Sequence, residues 1–140
     1  MADIFDNIIK LRKKKLLHSY VLRELIMIIN TYFPKYEPIA EIQGLAGGRN
    51  DLIAFKYNTR KILFEVFATA SQVSRDLRIL DNTISDIKIA IIIDKEIDKK
   101  VIDKFLRENP EKNYPYLFIS QILDKSKIIN TINILRDIIS

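Results

Sequence analysis

Residues 61–94, KILFEVFATASQVSRDLRILDNTISDIKIAIIID, change their apolar period twice, and the two changes set the architecture. In an extended chain alternate side chains share a face, so Lys61, Leu63, Glu65 and Phe67 point one way while Ile62, Phe64, Val66 and Ala68 point the other. That alternation predicts a strand over 61–68. Thr69, Ala70, Ser71 and Gln72 then match a capping box, and Val73, Leu77, Leu80 and Ile84 continue a helical stripe from it. Residues 88–93 are apolar on both faces, the pattern of a strand buried inside a parallel sheet. Strand, helix and strand in this order make a crossover unit, expected to be right-handed, with helices on both faces of a mixed sheet. The fold class is α/β.

Toward the N-terminus, residues 51–56 and 39–43 read as two further strands, with residues 57–60 in one connection and Gly44, Gly47 and Gly48 in the other. Such short connections favour an antiparallel meander. Before Pro34, residues Leu17, Tyr20, Val21, Leu25, Ile28, Ile29 and Tyr32 repeat at three and four, predicting a long, mostly buried helix over 16–33. Ile4, Phe5, Ile8, Ile9 and Leu11 keep the same spacing over 3–15. Asp3 stands there as N-cap, and Lys13, Lys14 and Lys15 end the helix where cations suit its dipole. Toward the C-terminus, Ile97, Val101, Ile102 and Phe105 mark a helix ending near Pro110, and 116–119 a short strand. Ser126 is placed to cap a last helix carrying Ile128, Ile129, Ile132, Leu135, Ile138 and Ile139. The expected order is α-α-β-β-β-α-β-α-β-α in a single domain over 1–140, with no internal repeat and no low-complexity linker.

The chain of 140 residues is 48% apolar and 29% charged with a mean hydropathy of 0.00, which supplies one core and argues against disorder. Its longest apolar runs, 25–29 and 89–93, fall far short of the roughly 18 residues of a membrane helix. The first fifteen residues put apolar positions before the basic cluster, the reverse of a secretory signal, and the absence of cysteine removes disulfides and thiolate metal sites. These features predict a cytosolic protein without redox chemistry of its own. A net charge of +5 and a pI near 9.4 permit a polyanionic partner. Isoleucine makes up about a fifth of the chain and lysine outnumbers arginine about two to one, a bias shared by thermophiles and AT-rich genomes.

Glu65 stands in the middle of an otherwise apolar strand. An ionised carboxylate there is costly unless it is paired or metal-bound, so it reads either as an ion pair with Lys61 or a neighbouring arginine, or as a metal ligand. Asp51 opens the preceding strand, and a hairpin through residues 57–60 brings it near Glu65. Two carboxylates on adjacent strands can share a hard divalent cation such as Mg²⁺. His18 is the only histidine, which excludes two-histidine chemistry, no serine nucleophile motif is present, and GLAGG lacks the Lys-Ser/Thr of a P-loop.

The runs GGRNDLIAF (47–55), ILFEVFATASQVSRDLRIL (62–80) and KIAIIID (88–94) resemble the core of the PD-(D/E)XK nuclease superfamily, the restriction-endonuclease-like fold that includes archaeal Holliday-junction resolvases. The resemblance covers about residues 16–94 and leaves 95–140 as an α-β-α extension. It implies a three-layer fold with a mixed central sheet of about five strands, and a DNA endonuclease that hydrolyses phosphodiesters with Mg²⁺ or Mn²⁺. Asp51 and Glu65 would be the metal-binding carboxylates, the backbone carbonyl of Val66 a further ligand, and Glu24 a helix-borne acidic residue. The family's motif lysine belongs two residues after Glu65, where this chain has Phe67. A phenyl ring cannot orient the attacking water or stabilise charge developing on the phosphate. Gln72, which stands where several family branches carry a helical glutamine, Arg75 on the same helix and Lys61 on the strand are the candidates for that work. Lys61 lies four residues from Glu65, about 13 Å along a strand. The alternative is a catalytically inactive nuclease-like domain serving as a nucleic-acid-binding or protein-assembly module.

The basic residues fall in two sets. Lys10, Arg12, Lys13, Lys14 and Lys15 form a dense run, while Arg49, Lys56, Arg60, Arg75 and Arg78 come from the predicted site region. Arg49, Arg75, Lys13, Lys14 and Lys15 are candidate DNA contacts, each adding salt dependence rather than sequence specificity. The isoleucines of the last helix either pack on the core or form a homodimer with a second copy.

Overall fold

Alternation over 61–68 produces the central strand of the sheet. β3 (Arg60–Phe67) buries every side chain from Ile62 to Phe67, as a strand covered on both faces requires. The computed structural model of the chain describes residues 3–39, 52–111 and 113–140. β3 pairs antiparallel with β2 (Leu52–Tyr57) and parallel with β4 (Ile87–Ile92), which is the crossover expected from the period changes. β1 (Glu37–Ile39) extends the sheet antiparallel to β2, and β5 (Tyr116–Phe118) extends it parallel to β4. Among the described residues the result is a five-stranded mixed sheet in the order β1-β2-β3-β4-β5.

The first strand begins earlier than the expected 39–43. Glu37, Pro38 and Ile39 pair with Lys56, Phe55 and Ala54, and residues 40–43 lie outside the described ones. Proline brings no N–H to a ladder, so it is tolerated here because β1 is the edge strand among the described residues.

Among the described residues six helices flank the sheet in a three-layer α/β arrangement. α1 (Ile4–Lys13), α2 (Leu17–Tyr32), α5 (Ile119–Leu123) and α6 (Ile128–Ile139) pack on one another, while α3 (Val73–Asn82) packs on α4 (Lys99–Glu108). α4 covers the Phe67 face of β3, where the rings of Phe67 and Phe105 meet edge to face at 5.2 Å. Among the described residues no helix is long and apolar enough to cross a membrane.

Helix starts follow the sequence less closely than the strands do. Asp3 caps α1, accepting from Phe5 N at 3.4 Å. The capping box expected at 69–72 does not form: Thr69 makes no side-chain cap bond, residues 70–72 turn as a 3₁₀ segment closed by the bond from Gln72 N to the Thr69 carbonyl, and α3 begins at Val73. Nor does Ile84 extend the stripe. Thr83 bonds the Ile79 carbonyl with both its amide (3.1 Å) and its hydroxyl (2.7 Å), ending the helix and leaving Ile84 90% exposed. Near the C-terminus Ser126 does not cap the last helix: Asp124 caps a 3₁₀ turn at 125–127, its carboxylate accepting from the Ser126 amide at 3.0 Å and hydroxyl at 2.8 Å, and α6 follows from Lys127, which makes no side-chain cap bond. α5 was not expected at all, and a five-residue helix is too short to show a period. Of the isoleucines offered by α6, Ile132 and Ile139 are buried with Leu135 against the core, while Ile129 is 74% exposed.

Candidate nucleic-acid and metal site

The odd-numbered face of β3 carries Glu65 beside Phe67, toward α4. Glu65 is 1% exposed, flanked by Leu52 across the hairpin and by Ala90 on β4. The expectation that the hairpin brings the start of the second strand to the C-terminal half of the third holds for Leu52, the residue that follows Asp51 in the sequence. Asp51 and Arg49 themselves lie outside the described residues. Val66 is buried, with its side chain on the opposite face of the strand. The Glu65 carboxylate and the Val66 carbonyl are hard oxygen donors, the type that Mg²⁺ and Mn²⁺ take. Among the described residues no group of three or more His, Asp or Glu converges on a metal position.

Phe67 is fully buried in an aromatic row, with Phe105 at 5.2 Å and Tyr116 at 5.7 Å beyond it. Position 67, where the resemblance would place a lysine, is thus part of the packed layer between β3 and α4. Lys61 lies at the other end of β3, opposite Lys56, with its amide bonded to Asp86 Oδ2 at 2.7 Å. Arg60, read as part of the site region, is also at that far end. Five residues along the strand separate it from Glu65, about 16 Å, and its guanidinium donates to the Ile139 carbonyl at the C-terminus of α6, where a cation is favoured by the helix dipole.

At the carboxyl end of β3 a cavity of about 370 Å³ opens between the α1–α2 turn and the β3–α3 connection. Arg12, Lys15, His18, Thr69 and Gln72 supply its polar lining, and Leu17 and Ala68 its apolar part. Arg12 is anchored by a 3.1 Å ion pair to Asp98, which also caps α4 through Lys100 N. Gln72 accepts from Arg75 Nη2 at 3.3 Å, and Arg75 reaches Asp76 at 3.5 Å. Of the three lysines singled out, Lys15 lines the cavity, while Lys13 ends α1 and Lys14 is its C-cap, both exposed. Glu24 is elsewhere. It lines a groove of about 230 Å³ between α2 and α5–α6, with Met27, Tyr32, Ile122 and Ile128.

Two buried carboxylates escaped the sequence reading. Asp76 is 3% exposed; it falls three residues after Val73 and four before Leu80, so the apolar stripe of α3 already carried its signal. Asp94 follows β4 and is also 3% exposed, accepting from the Ser120 amide at 2.9 Å and hydroxyl at 2.5 Å. Burial pushes the Asp94 carboxyl above its ordinary value, against the two Ser120 bonds that lower it; Glu96 adds to the rise and Lys127 opposes it. Tyr114 donates to Asp81 at 2.6 Å, and burial together with that bond drives its phenol upward.

Comparison of the chain with family models, with curated proteins and with solved structures found no match. The functional reading therefore stands on these residues.

Proposed function

We propose that the chain is a restriction-endonuclease-like domain of the cytosol that binds DNA and hydrolyses its phosphodiester bonds with Mg²⁺ or Mn²⁺ held by Asp51 and Glu65. The observation that carries this reading is the hairpin register, which sets a buried mid-strand carboxylate opposite Leu52, the residue after Asp51. A carboxylate buried at 1% exposure stays ionised only when a cation or hydrogen bonds compensate it. The antiparallel β2–β3 pair and the crossover into parallel β4 have the order that the family resemblance implies. The Val66 carbonyl would be a further oxygen ligand, whereas Glu24, which lines the groove beside α6, is left out of this set. When bound, the metal ion would polarise the phosphodiester and lower the pKa of a water. Gln72, Arg75 and the basic side chains at the carboxyl end of β3 would hold the DNA strand. Incubation with branched, single-stranded and duplex DNA plus either metal tests the proposal. Cleavage that disappears in Glu65→Ala is the expected result, and no cleavage of any substrate removes the hydrolytic half.

The buried Phe67 ring favours a second reading, an inactive nuclease-like module for nucleic-acid binding or assembly. Salt-sensitive DNA binding without metal dependence supports it; Mg²⁺ binding that Asp51→Asn abolishes counts against it. A homodimer through α6 rests on the exposed Ile129, next in sequence to Ile128 in the α2–α6 groove.

A further inference from the structure

We infer that the cavity at the carboxyl end of β3 binds a phosphomonoester group, the terminal phosphate of a nucleic-acid strand or of a nucleotide. This goes beyond phosphodiester hydrolysis and uses neither Asp51 nor Glu65.

The volume of about 370 Å³ lies within the range of small-ligand pockets, about 300–1,000 Å³, and so takes a phosphate with part of its sugar. Its polar lining consists of hydrogen-bond donors: the Arg12 guanidinium, the Lys15 ammonium, the His18 ring, the Thr69 hydroxyl and the Gln72 amide. Among the described residues no carboxylate lines it. The donors come from two segments more than fifty residues apart, so their convergence belongs to the tertiary fold and not to a run of solvated lysines.

Three features hold this lining in place. Arg12 uses Nη1 on Asp98, which fixes the plane of the guanidinium and leaves its other N–H groups for a second acceptor. Lys15 takes φ 59°, a left-handed backbone that is unfavourable for a non-glycine residue. That turn is closed by bonds from Lys15 N to the Arg12 carbonyl and from Leu16 N to the Leu11 carbonyl. The sixteen-residue helix α2 starts at the cavity with Leu16 as N-cap, an apolar side chain that makes no capping bond. The cavity also lies where open α/β sheets bind ligands, beyond the carboxyl end of a parallel strand. A terminal phosphate, with up to two charges and three free oxygens, engages more of these donors than a bridging phosphodiester with one charge and two.

The test compares one oligonucleotide sequence with a terminal phosphate and with a terminal hydroxyl, titrated into the full chain in metal-free buffer and read by fluorescence anisotropy. In parallel, adenosine monophosphate and adenosine are titrated while the ring resonances of His18, the only histidine, are followed by NMR. The phosphorylated strand is expected to bind at least about tenfold tighter. Lys15→Asn removes the charge while keeping a residue that tolerates the left-handed turn, with Lys15→Gly as a second such variant, and each should bring the two strands close to parity. A preference confined to the strand identifies a nucleic-acid end as the source. A response to the monophosphate without any oligonucleotide binding supports the cavity while overturning DNA binding as the function. Equal affinity of the two strands, together with His18 resonances unmoved by the monophosphate, overturns the inference and leaves DNA binding standing.

Discussion

Truncating Phe67 to alanine measures how firmly position 67 is committed to packing. The ring is fully buried and meets Phe105 at 5.2 Å with the planes at 65°. Phe→Ala in a core costs about 3–5 kcal/mol, of which about 0.5–1.5 kcal/mol belongs to the ring pair. Against a total stability on the order of 5–15 kcal/mol, Phe67→Ala should leave a marginal fold, with a melting temperature lowered by on the order of 10–20 °C. Urea unfolding followed by circular dichroism is the assay; the midpoint should fall while the slope stays unchanged. A double-mutant cycle with Phe105→Leu should return a coupling of about 1 kcal/mol. Phe67→Lys supplies the lysine that the resemblance would call for but drives an ammonium into the same aromatic layer, so it should be at least as destabilising as the alanine. A cost below about 1 kcal/mol for Phe67→Ala would refute the reasoning. So would a Phe67→Lys protein that is as stable as the wild type and gains cleavage.

Four further outcomes are expected. Because burial raises the Asp94 pKa, the folded chain holds that proton more tightly than the unfolded one. The resulting stability is full below the ordinary value near 3.9 and is lost as pH rises through the native value; Asp94→Asn should flatten that decline in urea midpoints measured from pH 3 upward. Glu65→Gln keeps the side chain's volume and should lower metal-dependent cleavage by at least the roughly 100-fold that loss of an outer-shell partner reaches, with an unchanged circular dichroism spectrum. Asp98→Ala removes the α4 cap bond to Lys100 and should cost about 1 kcal/mol by chemical denaturation, whereas Arg12→Ala should cost less, since the half-exposed pair itself contributes little. If α6 forms a dimer, Ile129→Asp should shift the sedimenting mass to that of the monomer, and an unchanged mass excludes Ile129 from the interface.

The strands were legible because burial leaves its mark at every residue. Alternation in β3 and the two-faced apolar run of β4 needed only the pleat and two covered faces to interpret. Helix ends were less legible, since a cap need can be met by backbone: Gln72 has the right letter and position, yet its amide bonds the Thr69 carbonyl and its side chain instead accepts from Arg75. Asp76 was visible in the stripe of α3, but the bond between Asp94 and Ser120 joins residues 26 apart and leaves no local trace. Charge in sequence proximity also misled. Arg60 looked close to Glu65, and strand geometry carries it to the far end of the sheet to meet Ile139. The cavity was hidden for the same reason, because Lys15 and Gln72 approach each other only once two layers have closed over β3.

Among the described residues the outer strands are short. β1 and β5 have three described residues each, against six to eight for β2, β3 and β4, and β1 includes Pro38. Unpaired strand edges are templates on which further chains can add and grow into fibrils, a hazard for a chain as rich in isoleucine as this one. Here β5 offers only a short edge, and on β1 Pro38 removes one donor outright. The most apolar strands, β3 and β4, are enclosed by neighbouring strands on both sides, so the sequence stretches best suited to cross-strand growth are not at an edge among the described residues.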